Sequence, residues 1–185
     1  KPHRKSGDGV NRKEDYIAVF DSGVGGISVL RQLMAILPRE RYLYYGDSAN
    51  APYGIKTKEQ VRQLTLDAAE MLYLRGIKAL VIACNTATSA AIRDLRQTYP
   101  DTIIVGIEPA LKLAADKFPT GKIGIMATRV TLREEKLSHL QERFPQVQVA
   151  RIPAPGLVEL IEQGKTHTPE TETLLRQVLT PYIGR

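Results

Sequence analysis

The sequence predicts an α/β fold in which parallel strands are covered by helices on both faces. Three observations carry that prediction. Short apolar runs alternate regularly with amphipathic stretches along residues 16–183, the order expected of strand–helix repeats. One run, Ala79-Leu80-Val81-Ile82-Ala83-Cys84, is apolar without interruption, as in a strand buried on both faces. Gly and Pro fall between the segments, where turns need them.

The elements follow in order. Residues 16–20 form a first strand that runs into the glycine-rich turn Asp21-Ser22-Gly23-Val24-Gly25-Gly26. Residues 27–37 are apolar at 27, 29, 30, 33, 34, 36 and 37, a helical spacing closed by Pro38. Residues 41–45 make a second strand, and 46–55, with Pro52 and Gly54, a loop. Thr57-Lys58-Glu59-Gln60 has the form of a capping box. It opens a helix with Val61, Leu64, Ala68, Met71 and Leu72 as its buried stripe, ended by Gly76. A strand at 77–83 and a helix at 86–98, stopped by Pro100, come next. The pattern then repeats: strand 102–107, helix 109–118, strand 122–127, helix 131–144 and strand 147–152. A short helix covers 157–163, and Thr168-Pro169 starts a last one reaching about residue 183.

Composition excludes several classes. The 185 residues are 43% hydrophobic and 25% charged, which fits a globular chain rather than a disordered or fibrous one. No apolar run approaches the ~18–20 residues of a membrane helix. The first twenty residues have no apolar signal core, so a cytoplasmic location is expected. The single Cys cannot form an internal disulfide, and no Cys/His spacing resembles a zinc site. The net charge of +6 divides into +4 for residues 1–13 and +2 for the remainder. The body is therefore close to neutral and does not argue for nucleic acid; residues 1–15 read as a solvated basic tail. The chain begins at Lys, so its natural start is expected upstream.

Ligands in open α/β sheets collect at the carboxyl ends of strands. Three polar clusters fall at such ends: Asp21-Ser22-Gly23, Cys84-Asn85-Thr86, and Thr128 with Thr131. The loop Ala51-Pro52-Tyr53-Gly54 is positioned to fold over them. Cys84 lies between an apolar strand and a helix whose free N–H groups favour a thiolate. Asp21 is a carboxylate able to receive or direct its proton, and Asn85 and Thr86 add donors for a carboxylate. The alternative is an inert buried thiol. The glycine-rich turn is not a dinucleotide fingerprint, because residue 28 is Ser, and no phosphate-loop Lys follows. His3, His139 and His167 read as surface residues, and Tyr42, Tyr44 and Tyr45 as strand packing. Glu159 and Glu162 are either a solvated helix face or, for Glu162, a group aimed at the cleft between the two halves.

These motifs resemble the glutamate racemase family of the aspartate/glutamate racemase superfamily. The resemblance rests on Asp21-Ser22-Gly23-Val24-Gly25-Gly26, Pro52-Tyr53-Gly54, Ala83-Cys84-Asn85-Thr86-Ala87, Ala127-Thr128-Arg129-Val130-Thr131 and Leu160-Ile161-Glu162. It implies two pseudosymmetric, flavodoxin-like α/β domains, here 16–99 and 100–185, with the substrate between them. It also implies a cofactor-independent interconversion of L- and D-glutamate that supplies D-glutamate for peptidoglycan. Two cysteines, one per domain, exchange a proton at Cα from opposite faces. By position Cys84 is one of them, assisted by Asp21. Ser22, Pro52, Tyr53, Gly54, Asn85, Thr86, Thr128, Thr131 and Glu162 are the implied substrate-binding residues. The small-molecule substrate is the partner implied; a homodimer is compatible with the sequence but not required by it.

The family's second cysteine sits in a Cys-Thr-His segment on a strand after residue 183, and this sequence holds no second Cys. The chain is therefore expected to end one element early, with an open sheet edge that favours aggregation. Two other readings stay open: a racemase of a related amino acid such as aspartate, and a catalytically incomplete binding protein.

Overall fold

The computed structural model describes residues 15–107, 110–133, 138 and 141–183. The expected tail, apart from Asp15, lies outside the described residues, as do His3 and His139.

The first sheet contains β1 (Tyr16–Asp21), β2 (Tyr42–Gly46), β3 (Ile77–Ile82) and β4 (Ile103–Gly106), all parallel, in the order β2-β1-β3-β4. This is the doubly wound, flavodoxin-like order, in which the connections leave from both sides of β1. Its helices are α1 (Gly26–Ile36), α2 (Lys58–Leu74) and α3 (Asn85–Thr98). Strand alternation decides which face each covers. Ala18, Phe20, Leu80 and Ile82 point to one side, where Val61, Ala68 and Leu72 of α2 and Ala87, Ala91 and Leu95 of α3 bury them. Ile17, Val19, Ala79 and Val81 point to the other, against Val29, Leu30 and Leu33 of α1. The uninterrupted apolar run is β3, a central strand covered on both faces.

Local signals act where the sequence puts them. Thr57 Oγ1 accepts from the Gln60 N–H at 3.2 Å, and the Gln60 side chain accepts from the Thr57 N–H at 2.9 Å, closing the capping box on α2. Gly76 follows α2 at φ 79°, a left-handed conformation that side chains resist. The loop at 46–55 is tighter than expected. It contains two 3-10 turns, Ser48–Asn50 and Tyr53–Ile55.

The second sheet is the parallel pair β5 (Lys122–Ala127) and β6 (Gln148–Pro153), with α4 (Leu111–Lys117), α5 (Arg129–Arg133), α6 (Leu157–Glu162) and α7 (Pro169–Leu179) around it. Thr168 caps α7 through the Thr171 N–H. The helix expected at 131–144 begins earlier, at Arg129; residues 134–137 and 139–140 lie outside the described residues. Pro109, at the expected start of α4, also lies outside them.

A division of the chain at residue 99 puts the strand after α3 in the second half; in the sheet, β4 pairs with β3, Ile104 opposite Leu80. Only a short turn separates α3 from β4, so the crossover returns the chain beside the strand it left. Arg96 secures it with a hydrogen bond to the Ile104 carbonyl at 3.1 Å. Among the described residues, no helix is long and apolar enough to cross a membrane.

Candidate active site

Asp21 ends β1, and Cys84 lies two residues past the end of the adjacent β3. Asp21 is buried, and its Oδ2 accepts from the Gly23 and Gly26 N–H groups, both at 3.1 Å. The carboxylate thereby folds the glycine-rich turn about itself. A Cβ at Gly26 would lie 2.7 Å from that of Asp21, so only glycine fits there.

Cys84 is the N-cap of α3, 7% exposed. Its Sγ accepts from the Ala87 N–H at 3.4 Å and lies 3.4 Å from Ser22 Oγ. Burial pushes the thiol pKa up; the Ser22 hydroxyl and the Ala87 N–H pull it back, and the charge of Asp21 raises it further. The hydrogen-bonding partner of the thiol is thus Ser22, with Asp21 acting through its field. Asn85 is exposed beside Cys84, while Thr86 is buried.

Thr86 connects the two sheets. Its Oγ1 lies 3.0 Å from Thr128 Oγ1 and 3.5 Å from Thr131 Oγ1, and Thr128 Oγ1 donates to Thr131 Oγ1 at 3.1 Å. Thr128 follows β5 and Thr131 lies on α5. The Pro52–Gly54 turn closes over this cluster: a Cβ on Gly54 would come 2.7 Å from Thr128 Cγ2.

Tyr53 does not present its hydroxyl to the cleft. It is 2% exposed, and its OH donates to Asp47 Oδ2 at 2.7 Å. Burial, and then Asp47, push the phenol well above its ordinary range. Asp47 also accepts from Asn50 Nδ2 at 3.0 and 3.1 Å, and its N–H donates to the Asp21 carbonyl at 2.9 Å. Sequence reasoning missed Asp47. The available signal was its position just past β2, matching that of Asp21 on β1.

Glu162 ends α6 and reaches the first sheet, where Oε1 accepts from the Val24 N–H at 3.1 Å. A Cβ at Gly23 would lie 1.9 Å from that oxygen. Tyr44, read from sequence as strand packing, does pack there but also donates to the Gly23 carbonyl at 2.8 Å. Its pKa is pushed up to about 12, by burial first and then by Asp21 and Glu162. His167 is exposed, as expected. The structure therefore gathers Asp21, Ser22, Cys84 and Thr86 with Thr128, Thr131, Gly54 and Glu162 along the line where the two sheets meet.

Residues 25–185 match the family described as Asp/Glu/Hydantoin racemase. The glutamate racemase of Clostridium perfringens (strain SM101) is 50% identical over 174 residues, covering 94% of this chain and 67% of that protein. That of Clostridium kluyveri is 53% identical over 169 residues, covering 91% and 66%. Among solved structures, Francisella tularensis glutamate racemase in complex with D-glutamate matches with a TM-score of 0.80 at 26% identity, over 93% of this chain and 65% of that one. Escherichia coli glutamate racemase, solved with L-glutamate and the activator UDP-MurNAc-Ala, matches with a TM-score of 0.80 at 30% identity, over 93% and 65%. The chain spans about two thirds of the length of these relatives. With most of its length matched and half its residues shared with named members, the chain belongs to the Asp/Glu/hydantoin racemase family.

Proposed function

We propose that the protein interconverts L- and D-glutamate by proton transfer at Cα between thiol groups, without an organic cofactor, and so supplies D-glutamate for peptidoglycan. The observation that carries this reading is the single cysteine at a helix N-terminus, buried beside a carboxylate and a hydroxyl. An acid/base group at Cα must be usable both as thiol and as thiolate. Burial and Asp21 favour the neutral form of Cys84, while Ser22 and the Ala87 N–H favour the anion. The opposed influences suit a group that gives and takes one proton.

In this reading the Cys84 thiolate removes the Cα proton from one face, and a thiol on the opposite face, supplied from outside residues 1–185, returns one. Asn85 and the N-terminal N–H groups of α3 receive the α-carboxylate. Thr86, Thr128 and Thr131 hold the other polar groups of the substrate, and Glu162 keeps the glycine-rich turn in place from the second sheet. Asp21 faces the substrate ammonium and moderates the thiol. Pro52–Gly54 form the rim. The reading places the protein in the cytoplasm, with a first domain that runs from residue 16 through β4 and a second that follows it to residue 185.

Incubation with L- and with D-glutamate in D2O, followed by NMR of Cα–H and by optical rotation, tests the proposal. The expected result is exchange of at least one enantiomer, abolished by Cys84→Ala. Aspartate is the parallel arm: faster exchange of aspartate would reassign the substrate. No exchange of either amino acid by folded protein would remove the reading.

A further inference from the structure

Beside the contact of Gly54 with Thr128 lies a cavity of about 780 Å³, and none of Asp21, Ser22, Cys84, Asn85 or Thr86 lines it. Among the described residues, its charged wall consists of Lys56 just before α2, Lys58 at its start, Arg129 and Arg133 on α5, and one carboxylate, Glu159 on α6. The side chains of Lys56, Arg129 and Arg133 form no ion pair among the described residues. Lys58 differs, since its charge acts on Asp94, which is itself paired with Arg62. Arg129 and Arg133 stand four residues apart on one short helix, a like-charge spacing that costs a helix stability unless an anion joins the pair. Apolar side chains complete the wall: Ile55, which is 71% exposed, with Val130, Pro155 and Val158.

The volume falls within the roughly 300–1,000 Å³ typical of pockets for drug-sized ligands, more room than one amino acid fills. The charge excess calls for more than the single net negative charge of glutamate. We propose that this cavity binds a small organic polyanion: a molecule bearing at least two clustered phosphate or carboxylate groups on an apolar or ring-containing body. Arg129 and Arg133 take the anionic oxygens, guanidinium groups being suited to both chemistries. Lys56 adds a third charge, and Ile55, Val130 and Val158 cover the apolar part. The site is separate from the thiol chemistry and does not rest on it, although Pro52, Gly54 and Thr128 border both.

Isothermal titration of the 185-residue protein at low salt, with inorganic pyrophosphate, citrate and L-glutamate as probes, tests the proposal. Saturable 1:1 binding of pyrophosphate or citrate is expected, and the tighter of the two assigns the phosphate or the carboxylate class. The double variant Arg129→Gln/Arg133→Gln should weaken it by about tenfold or more, the worth of a charge-assisted hydrogen bond. Glu159→Gln should tighten it, a change of opposite sign that damage to the fold would not produce. Cys84→Ala should leave binding unchanged, which keeps this result independent of the racemase assays. Because residues 1–13 are basic, Arg4→Gln/Lys5→Gln is the control and should also bind unchanged. The proposal is overturned by absence of saturable binding, by retention in the Arg129/Arg133 variant, by loss in the Arg4/Lys5 variant, or by displacement with equimolar L-glutamate.

Discussion

The carboxylate of Glu162 and the backbone N–H of Val24, 138 residues apart in sequence, meet at 3.1 Å across the line between the two sheets. The glycine-rich turn is thus held from both sides. Asp21 gathers its N–H groups from within the first sheet, and Glu162 holds Val24 from the second.

That arrangement separates two glycine substitutions. In Gly23→Ala the new Cβ meets the carboxylate of Glu162, the far end of a flexible side chain. The side chain can swing away, so the cost to stability is small, about 1 kcal/mol or less, but the link between the sheets is lost. In Gly46→Ala the Cβ meets the backbone oxygen of Gly23 at 2.4 Å, which cannot move without the turn. Urea unfolding should show Gly46→Ala to be the more destabilising, by about 1–3 kcal/mol.

The reactivity of Cys84 should follow its neighbours. Ser22→Ala removes a donor that favours the thiolate, so alkylation by iodoacetamide at fixed pH should slow severalfold and its pH profile move upward. Asp21→Asn removes a charge that opposes the thiolate and should move the profile downward. Stopped-flow alkylation from pH 7 to 10.5 reads both signs. Profiles that move the same way in the two variants would contradict the geometry.

Tyr53 and Asp47 form a buried pair at 2.7 Å. Asp47→Ala strands the Tyr53 hydroxyl in the core, whereas Tyr53→Phe leaves Asp47 still bonded to Asn50. Leaving a buried polar group unpaired costs about 1–3 kcal/mol. Asp47→Ala is therefore the more destabilising of the two. Thermal unfolding compares them, and recovery in the double variant would locate the cost in the unpaired hydroxyl.

Burial, and then the charges of Asp21 and Glu162, push the Tyr44 phenol from its ordinary 10.0 up to about 12. A folded pKa above the unfolded value means the folded state holds the proton more tightly. Its contribution to stability is therefore complete below pH 10 and is lost as the pH rises toward 12. Phenolate absorbance against pH should show a transition near 12, before that of the more deeply buried Tyr53, and Tyr44→Phe should remove that transition while leaving the later one.

Much of the fold was legible from the chain. Strand and helix periods, the Thr57–Gln60 capping box and the Gly76 stop are decided within a few residues, so the local sequence contains what is needed to read them. The position of Cys84 at the junction of an apolar strand and a helix was legible for the same reason. The side to which β4 would go was not, because an apolar tetrad fits the edge of either sheet and only the crossover geometry assigns it to β3.

By itself, the sequence determined an α/β chain with polar clusters at the ends of its strands and one thiol among them. Tertiary structure decided which groups touch. It gave Cys84 the hydroxyl of Ser22 as partner, turned Tyr53 inward to Asp47, and brought Thr86 to Thr128 and Glu162 to Val24. Those pairs are 62, 6, 42 and 138 residues apart. Contacts between elements depend on how the strands are ordered and how the sheets meet, and periodicity along one segment carries no information about either.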